Sequence, residues 1–224
     1  MSSFLPLTLS FNFDNVKIGL YIAAMGSKSS YHHGDLRRTL LDEAALLLRE
    51  QGEKGLSMRA LAARAGVSRT APYHHFKDKE DLLCAIAAEG FRRFMGVLSL
   101  EGEDLSEANM RQFVSKYLDF AVDNAQYYDL MFGSQLWKSG SVNEALRQEA
   151  QASFRFYLEQ VRDWQRQGKV NQQLDPLRYA QVSWSALHGM CRLLIDGIYL
   201  DTNSMGPMCD EAGSMFWREL QAGR

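Results

Sequence analysis

Four residues, Ala65-Gly66-Val67-Ser68, narrow what this chain can fold into. Before them, Met58, Leu61 and Ala62 fall at helical spacing behind Ser57, a residue type that caps helix starts. After them, Arg69 to Phe76 reads as a second short helix, with Pro72 in its first turn, where few amide donors are needed. Gly66 supplies the left-handed backbone of a tight turn, and Ser68 is placed to cap the following helix. Two short helices meeting at a corner, with polar groups on the second, make a helix-turn-helix layout.

The rest of the 224 residues is predicted all-helical. Leu36, Leu40, Ala44, Leu47 and Leu48 mark a first helix, with Asp35 as its cap and Gly52 as its stop. Asp78 caps a longer helix carrying Leu82, Leu83, Ile86, Ala87, Phe91, Phe94 and Met95. Beyond a polar break at 101–106, Met110, Phe113, Val114, Tyr117, Leu118 and Ala121 mark the next. A short aromatic piece, 127–132, leads to a Gly/Ser loop at Gly133 and 139–141. Helices are then expected over about 142–167, from Pro176 to about Leu200, and from Pro207 to about Leu220. No run alternates long enough to read as a strand.

Charge separates the chain into two parts. Residues 26–79 hold ten Lys and Arg against six acids, whereas 80–224 are net acidic, within an overall charge of only −2. A basic block on an acidic remainder suggests two jobs, the basic one facing a polyanion. The expected division is a tail at 1–25, a helix-turn-helix domain at 26–80 and a helical effector-binding and dimerisation domain at 81–224. With 46% hydrophobic and 23% charged residues, the chain is neither disordered nor collagen-like. Cys84, Cys191 and Cys209 form no CxxC pair, which suits buried thiols in a reducing cytoplasm.

The first 25 residues are apolar, yet no Lys or Arg precedes Lys17, so the charged start of a signal peptide is missing. Asp14 and Lys17 interrupt any membrane span, and no membrane partner is expected. The segment reads as a tail outside the fold, with Met25 as the native start.

The second helix of the corner exposes Arg69, Thr70, Tyr73 and His74, which suit base edges or phosphates. Lys79 adds a positive charge beside the amides of a helix start. Neighbouring histidines, His32-His33 and His74-His75, invite a metal reading. Adjacent helical residues diverge by about 100°, however, and no HExxH or Cys/His ligand spacing occurs, so neither metal nor cofactor is expected. GxSxG, Walker and Rossmann signatures are also missing, which argues against an enzyme.

The run Arg59-x-Leu61-Ala62-x-x-Ala65-Gly66-Val67-Ser68, then Tyr73-x-His75-Phe76-x-x-Lys79-x-x-Leu82-Leu83, resembles the DNA-binding domain of TetR-family transcriptional regulators. Trp184-x-x-x-His188-Gly189, following Asp175-Pro176, is similar to the WHG-type C-terminal domain of one branch of that family. The resemblance implies a homodimer of all-helical subunits, with three N-terminal helices on double-stranded DNA and about six more binding an effector and dimerising. Position by position, it implies that Ser68, Arg69, Thr70 and Ala71 read bases. It places Tyr73, His74 and Lys79 at phosphates, Arg59 at the backbone, Phe76 in the small core, and Lys28, Tyr31 and His32 in an N-terminal arm. Pro72 stands where many members have another residue.

The acidic part concentrates large soft side chains. Pockets in helical proteins are lined by such groups with a few polar ones. Tyr117, Tyr127, Met131, Trp137, Phe154, Tyr157, Trp184 and His188 are therefore the candidates for a small hydrophobic or aromatic effector. The helix after Pro176 is apolar on more than one face, with Val182, Ala186, Met190 and Leu193 beside its main stripe, so a second subunit is expected against it. The sequence points to a ligand-responsive repressor. The alternative is a helical small-molecule-binding or enzymatic protein whose corner is only a packing unit.

Overall fold

The computed structural model describes residues 33–99, 104–199 and 205–223. The N-terminal tail, its proposed start site and the arm residues Lys28, Tyr31 and His32 lie outside the described residues. The chain divides into two compact units, Met1–Leu36 and Arg37–Arg224. Of the first, only the opening of one helix is described.

Every described element is helical: α1 (His33–Gly55), α2 (Met58–Arg64), a 3₁₀ turn (Ala71–His74), α3 (Lys79–Leu98), α4 (Glu107–Asp123), α5 (Ala125–Phe132), α6 (Ser134–Ser139), α7 (Glu144–Arg166), α8 (Pro176–Ile195) and α9 (Met205–Gln221). None of these helices is long and apolar enough to cross a membrane.

Local chemistry sets the element ends. Ser57 accepts a hydrogen bond from the Ala60 amide at 3.1 Å, and Asp78 accepts one from Asp81 at 2.9 Å. Asp175 accepts from the amides of Leu177 and Arg178, with Pro176 in the first turn. Gly66 has φ +66°, and just beyond it the Val67 amide donates to the Ala62 carbonyl, closing α2.

Leu40, Ala44, Leu47 and Leu48 of α1 share a small core with Leu56, Met58, Leu61, Ala62 and Phe76, all buried. The Arg37 guanidinium lies 5.4 Å from the centre of the Phe76 ring. Helix α3 is buried on several faces because it joins that core to the larger body, packing on α7, α5 and α4. A Cβ at Gly90 would stand 2.7 Å from Met131 Sδ, so a larger residue there would require the Met131 side chain to shift where α3 meets α5. Helix α9 lies most extensively along α4, where a Cβ on Gly213 would meet Arg111 Cα at 2.5 Å.

Several sequence expectations need correction. Arg69–Phe76 is not an α-helix. Its hydrogen-bonded part is one 3₁₀ turn, with Tyr73 bonded to Thr70 and His75 to Pro72. Pro72 is buried and contributes no amide; the segment closes short i→i+3 rings and ends on one i→i+4 bond, from the Phe76 amide to the Pro72 carbonyl at 2.9 Å. Ser68 does not cap this turn by its side chain; its hydroxyl lies 3.1 Å from that of Thr70. Helix α1 starts at His33, ahead of the expected Asp35 cap. The expected Gly/Ser loop contains α6, and α8 ends at Ile195, where Gly197 at φ +70° turns the chain. The last helix begins at Met205, so Pro207 sits inside its first turn rather than opening it.

Candidate functional site

Two candidate sites emerge. The first is the outer face of the 3₁₀ turn. Arg69, Thr70, Tyr73 and His74 are all exposed there, Tyr73 by 57% of its surface, an unusual position for an aromatic ring with no partner to cover it. Behind that face, Pro72 and Phe76 are buried and anchor the turn. Arg59 is exposed on α2 and Ser68 on the tight turn, while Ala71 is half-buried at the base of the 3₁₀ turn. Among the described residues, neither Arg59 nor Arg69 has an ion-pair partner, so both guanidinium groups remain available to an anion.

Lys79 lies differently. Its Nζ donates to the Glu53 carbonyl at 2.7 Å in a half-buried position, satisfying the carboxy-terminal end of α1. Sequence reasoning also passed over Arg64, whose guanidinium bonds Glu43 at 2.7 Å and Glu50 at 2.6 and 2.9 Å. The hydrogen bond from Arg64 lowers the Glu50 pKa, and those from Glu50 and then Glu43 raise that of Arg64. This clamp fixes α2 against α1 and so orients the corner that carries the exposed turn.

The second site is a cavity along α7. An aromatic chamber of about 310 Å³, open to solvent, is lined by Phe91, Met131, Phe132, Trp137, Ala150, Phe154 and Trp184. A neighbouring basic chamber of about 500 Å³, equally open, shares Trp137, Ala150 and Phe154 and adds Arg147, Gln151, Arg155 and Leu158. These volumes fall in the range of small-molecule sites. Trp137 is held in place by its Nε1, which donates to the Met131 carbonyl at 2.7 Å.

Of the eight residues proposed for the effector, Met131, Trp137, Phe154 and Trp184 line this cavity. Tyr117 and Tyr157 do not; both are fully buried and pack edge-on or tilted against Trp184, with ring centres 6.1 and 5.7 Å away. The Tyr157 hydroxyl lies 2.9 Å from Ser183 Oγ, and burial pushes its pKa up to about 12. The Tyr117 hydroxyl has no partner in good hydrogen-bonding geometry among the described residues, and burial pushes its pKa well up. Tyr127 sits apart, under the Arg93 guanidinium at 5.6 Å.

His188 also stands off the cavity walls. Its Nδ1 lies 2.8 Å from the Tyr128 hydroxyl, and its ring packs on Phe132 at 4.9 Å, so it supports the wall from behind. Burial, followed by the charge of Arg192, lowers its pKa. Phe91, Phe132 and the Arg147-Gln151-Arg155 row escaped sequence reasoning. The four-residue spacing of that row was the available signal, but nothing in the sequence said which face of α7 would border a cavity.

Cys84, Cys191 and Cys209 are free and buried. Desolvation raises all three thiol pKa values, Cys191 to about 12 and Cys209 to about 11. Among the described residues, no group of three His, Cys, Asp or Glu side chains is placed to hold a metal ion.

Residues 40–86 match the bacterial regulatory proteins of the tetR family, and residues 110–211 match the tetracyclin repressor-like C-terminal domain. The chain belongs to the TetR family. An HTH-type transcriptional repressor of Mycobacterium tuberculosis is 38% identical over 78 residues, 35% of this chain and 42% of that protein. The HTH-type transcriptional repressor AcnR of Corynebacterium glutamicum is 39% identical over 66 residues, 30% of this chain and 35% of that one. The chain therefore matches less than half the length of these curated relatives. A solved structure of a protein of unknown function from Rhodococcus sp. RHA1 is similar over nearly its whole length, with a TM-score of 0.72 and 32% identity across 86% of this chain and 99% of that one. In this TetR-family chain, the 3₁₀ turn lies within the N-terminal match, and the residues lining the α7 cavity, Phe91 apart, fall within the C-terminal match.

Proposed function

We propose that this TetR-family chain is a ligand-responsive transcriptional repressor that binds double-stranded DNA as a homodimer. The observation that carries the reading is the exposed face of Arg69, Thr70, Tyr73 and His74 on a turn anchored from behind by Pro72 and Phe76. Ser68, Arg69, Thr70 and Ala71 face base edges in this reading, while Tyr73, His74 and Arg59 hold phosphates. Lys79 contributes a donor to phosphate only with the hydrogen-bonding capacity left beyond Glu53. A dimer places two such turns in successive major grooves, about 34–36 Å apart.

The dimer partner covers the outer faces of α8 and α9. Val182 is 68% exposed and Met215 48%, and the small residues Ser185, Ala186 and Gly189 flank Val182 along its face. The cavity along α7 takes a small apolar or aromatic effector. Its differential affinity for two subunit spacings shifts the dimer away from DNA. Such a protein works in the cytoplasm, where its DNA lies and where its buried thiols stay reduced.

Selection of bound sequences from random DNA, followed by electrophoretic shifts over a salt series, tests this. Two chains per site and a steep fall of affinity with salt are expected, because phosphate contacts release counterions. A protein that retains no salt-sensitive DNA complex under selection is not a repressor of this kind.

A further inference from the structure

We propose that the effector is an amphipathic anion: a flat apolar or aromatic body carrying one carboxylate-type head. The inference rests on the reading of the α7 cavity as the effector site. The two chambers share Trp137, Ala150 and Phe154, so they adjoin, and they differ in chemistry. Among the described residues, no charged side chain lines the aromatic chamber, which therefore offers a ligand charge no partner. The basic chamber carries Arg147, Gln151 and Arg155, each four residues from the next and hence on one face of α7.

Those two arginines are the ones α7 leaves uncommitted. Arg162 bonds Glu159 at 2.6 Å, and Arg166 bonds Asp163. Arg155 has no ion-pair partner among the described residues. Arg147 meets only Glu144, at 3.9 Å, with both groups exposed, a pair of little energetic weight. The nearby carboxylate of Glu149 is taken up by Arg92 at 3.1 Å. One chamber is thus electropositive, while its neighbour is aromatic and lined by no charged side chain among the described residues. An oriented ligand satisfies both ends at once, head at the arginines and body against Trp184 and Phe132. Gln151, between them, supplies a further amide donor.

Isothermal titration calorimetry of the full chain with three matched probes, naphthoate, naphthamide and naphthylmethylammonium, tests the proposal. Naphthoate is expected to bind at least about tenfold more tightly than naphthamide, the scale of a charge-assisted hydrogen bond, with the ammonium weakest. The Arg147→Gln/Arg155→Gln double variant, shown to be folded by its melting curve, brings naphthoate down to the naphthamide level and leaves naphthamide unchanged. Ala150→Trp, which fills the segment shared by both chambers, removes binding of all three. Equal affinity for naphthoate and naphthamide, in the native chain and the double variant alike, overturns the anionic head while leaving the cavity as a ligand site. Failure of every probe to bind, or binding that survives Ala150→Trp, overturns the cavity reading and this inference with it.

Discussion

The side-chain amide of Asn143 donates to Asp81 Oδ1 at 2.9 Å, tying the start of α7 to the first turn of α3. Each partner also has a local task. Asn143 Oδ1 accepts from the Leu146 amide at 3.0 Å and caps α7, while Asp81 Oδ2 accepts from the Lys77 amide at 3.1 Å, just beyond the 3₁₀ turn. Alongside, Ser141 Oγ donates to Glu80 at 2.8 Å and Cys84 Sγ donates to the Ser141 carbonyl. The helix that lines the cavity is therefore joined by side chains to the residues that follow the 3₁₀ turn. This gives α7 a direct purchase on the orientation of that turn.

Asn143→Asp keeps the cap, since Asp is as good a cap as Asn, but sets two carboxylates against each other. The expected result is a folded repressor whose DNA affinity responds less to effector. The reciprocal pair Asn143→Asp with Asp81→Asn restores a donor and should recover the response. Effector titrations of a preformed DNA complex measure this. An unaltered response in the single variant would remove the contact from the coupling route.

The proposed DNA-reading face yields a contrast between Arg69 and Lys79. Arg69 is exposed and, among the described residues, has no ion-pair partner, so Arg69→Ala should change which sequences are preferred while leaving the melting temperature nearly unchanged. Lys79→Met should do the opposite. It leaves the Glu53 carbonyl without that donor and should cost about 1 kcal/mol of stability, with only a modest and uniform loss of DNA affinity. Thermal melting and a randomised-site binding panel separate the two; identical profiles would contradict the distinction.

Two glycines are required for different reasons, and their substitutions should differ accordingly. Gly66→Ala meets open space, so its cost is the left-handed backbone alone, about 1 kcal/mol. Gly213→Ala drives a Cβ to 2.5 Å from the Arg111 backbone and must part α9 from α4. About 1–3 kcal/mol is expected there, seen as a lower denaturant midpoint. A Gly213→Ala protein as stable as the native chain would mean that the two helices can separate freely.

The exposed faces of α8 and α9 give a test of assembly. Val182→Arg with Met215→Arg places charge where a partner helix is proposed, at positions that bury little within one chain. Sedimentation should show monomers with native helicity and weakened operator binding. A variant that stays dimeric would move the interface elsewhere.

Much of this molecule could be read from local pattern, because caps, turns and amphipathic faces are properties of neighbouring residues. Ser57, Gly66, Asp78 and Asp175-Pro176 announce their elements on that ground. The 3₁₀ form of 71–74 was less legible, since the signals that start a helix did not show how soon Pro72, once buried, would limit it. The cavity was legible only by residue type. Trp184 and Phe154 look alike whether they face a core or a void, and Tyr117 proved to stand behind Trp184 rather than beside a ligand space. The Asn143–Asp81 contact was invisible, because its partners are 62 residues apart and each already has a local role.

His188 provides a pH test with a definite sign. Its pKa is lowered in the folded chain, chiefly by burial and then by Arg192, so the unfolded chain binds more protons around and below the ordinary histidine value near 6.5. Stability from this group is thus complete above that value and falls as the pH drops through it, because protonation opposes burial beside Arg192 and disturbs the Tyr128 contact. Melting temperatures should decline between about pH 7 and pH 5 more steeply for the native chain than for His188→Gln, which cannot titrate. Equal slopes for the two proteins over that interval would show that the burial of His188 does not govern acid sensitivity here.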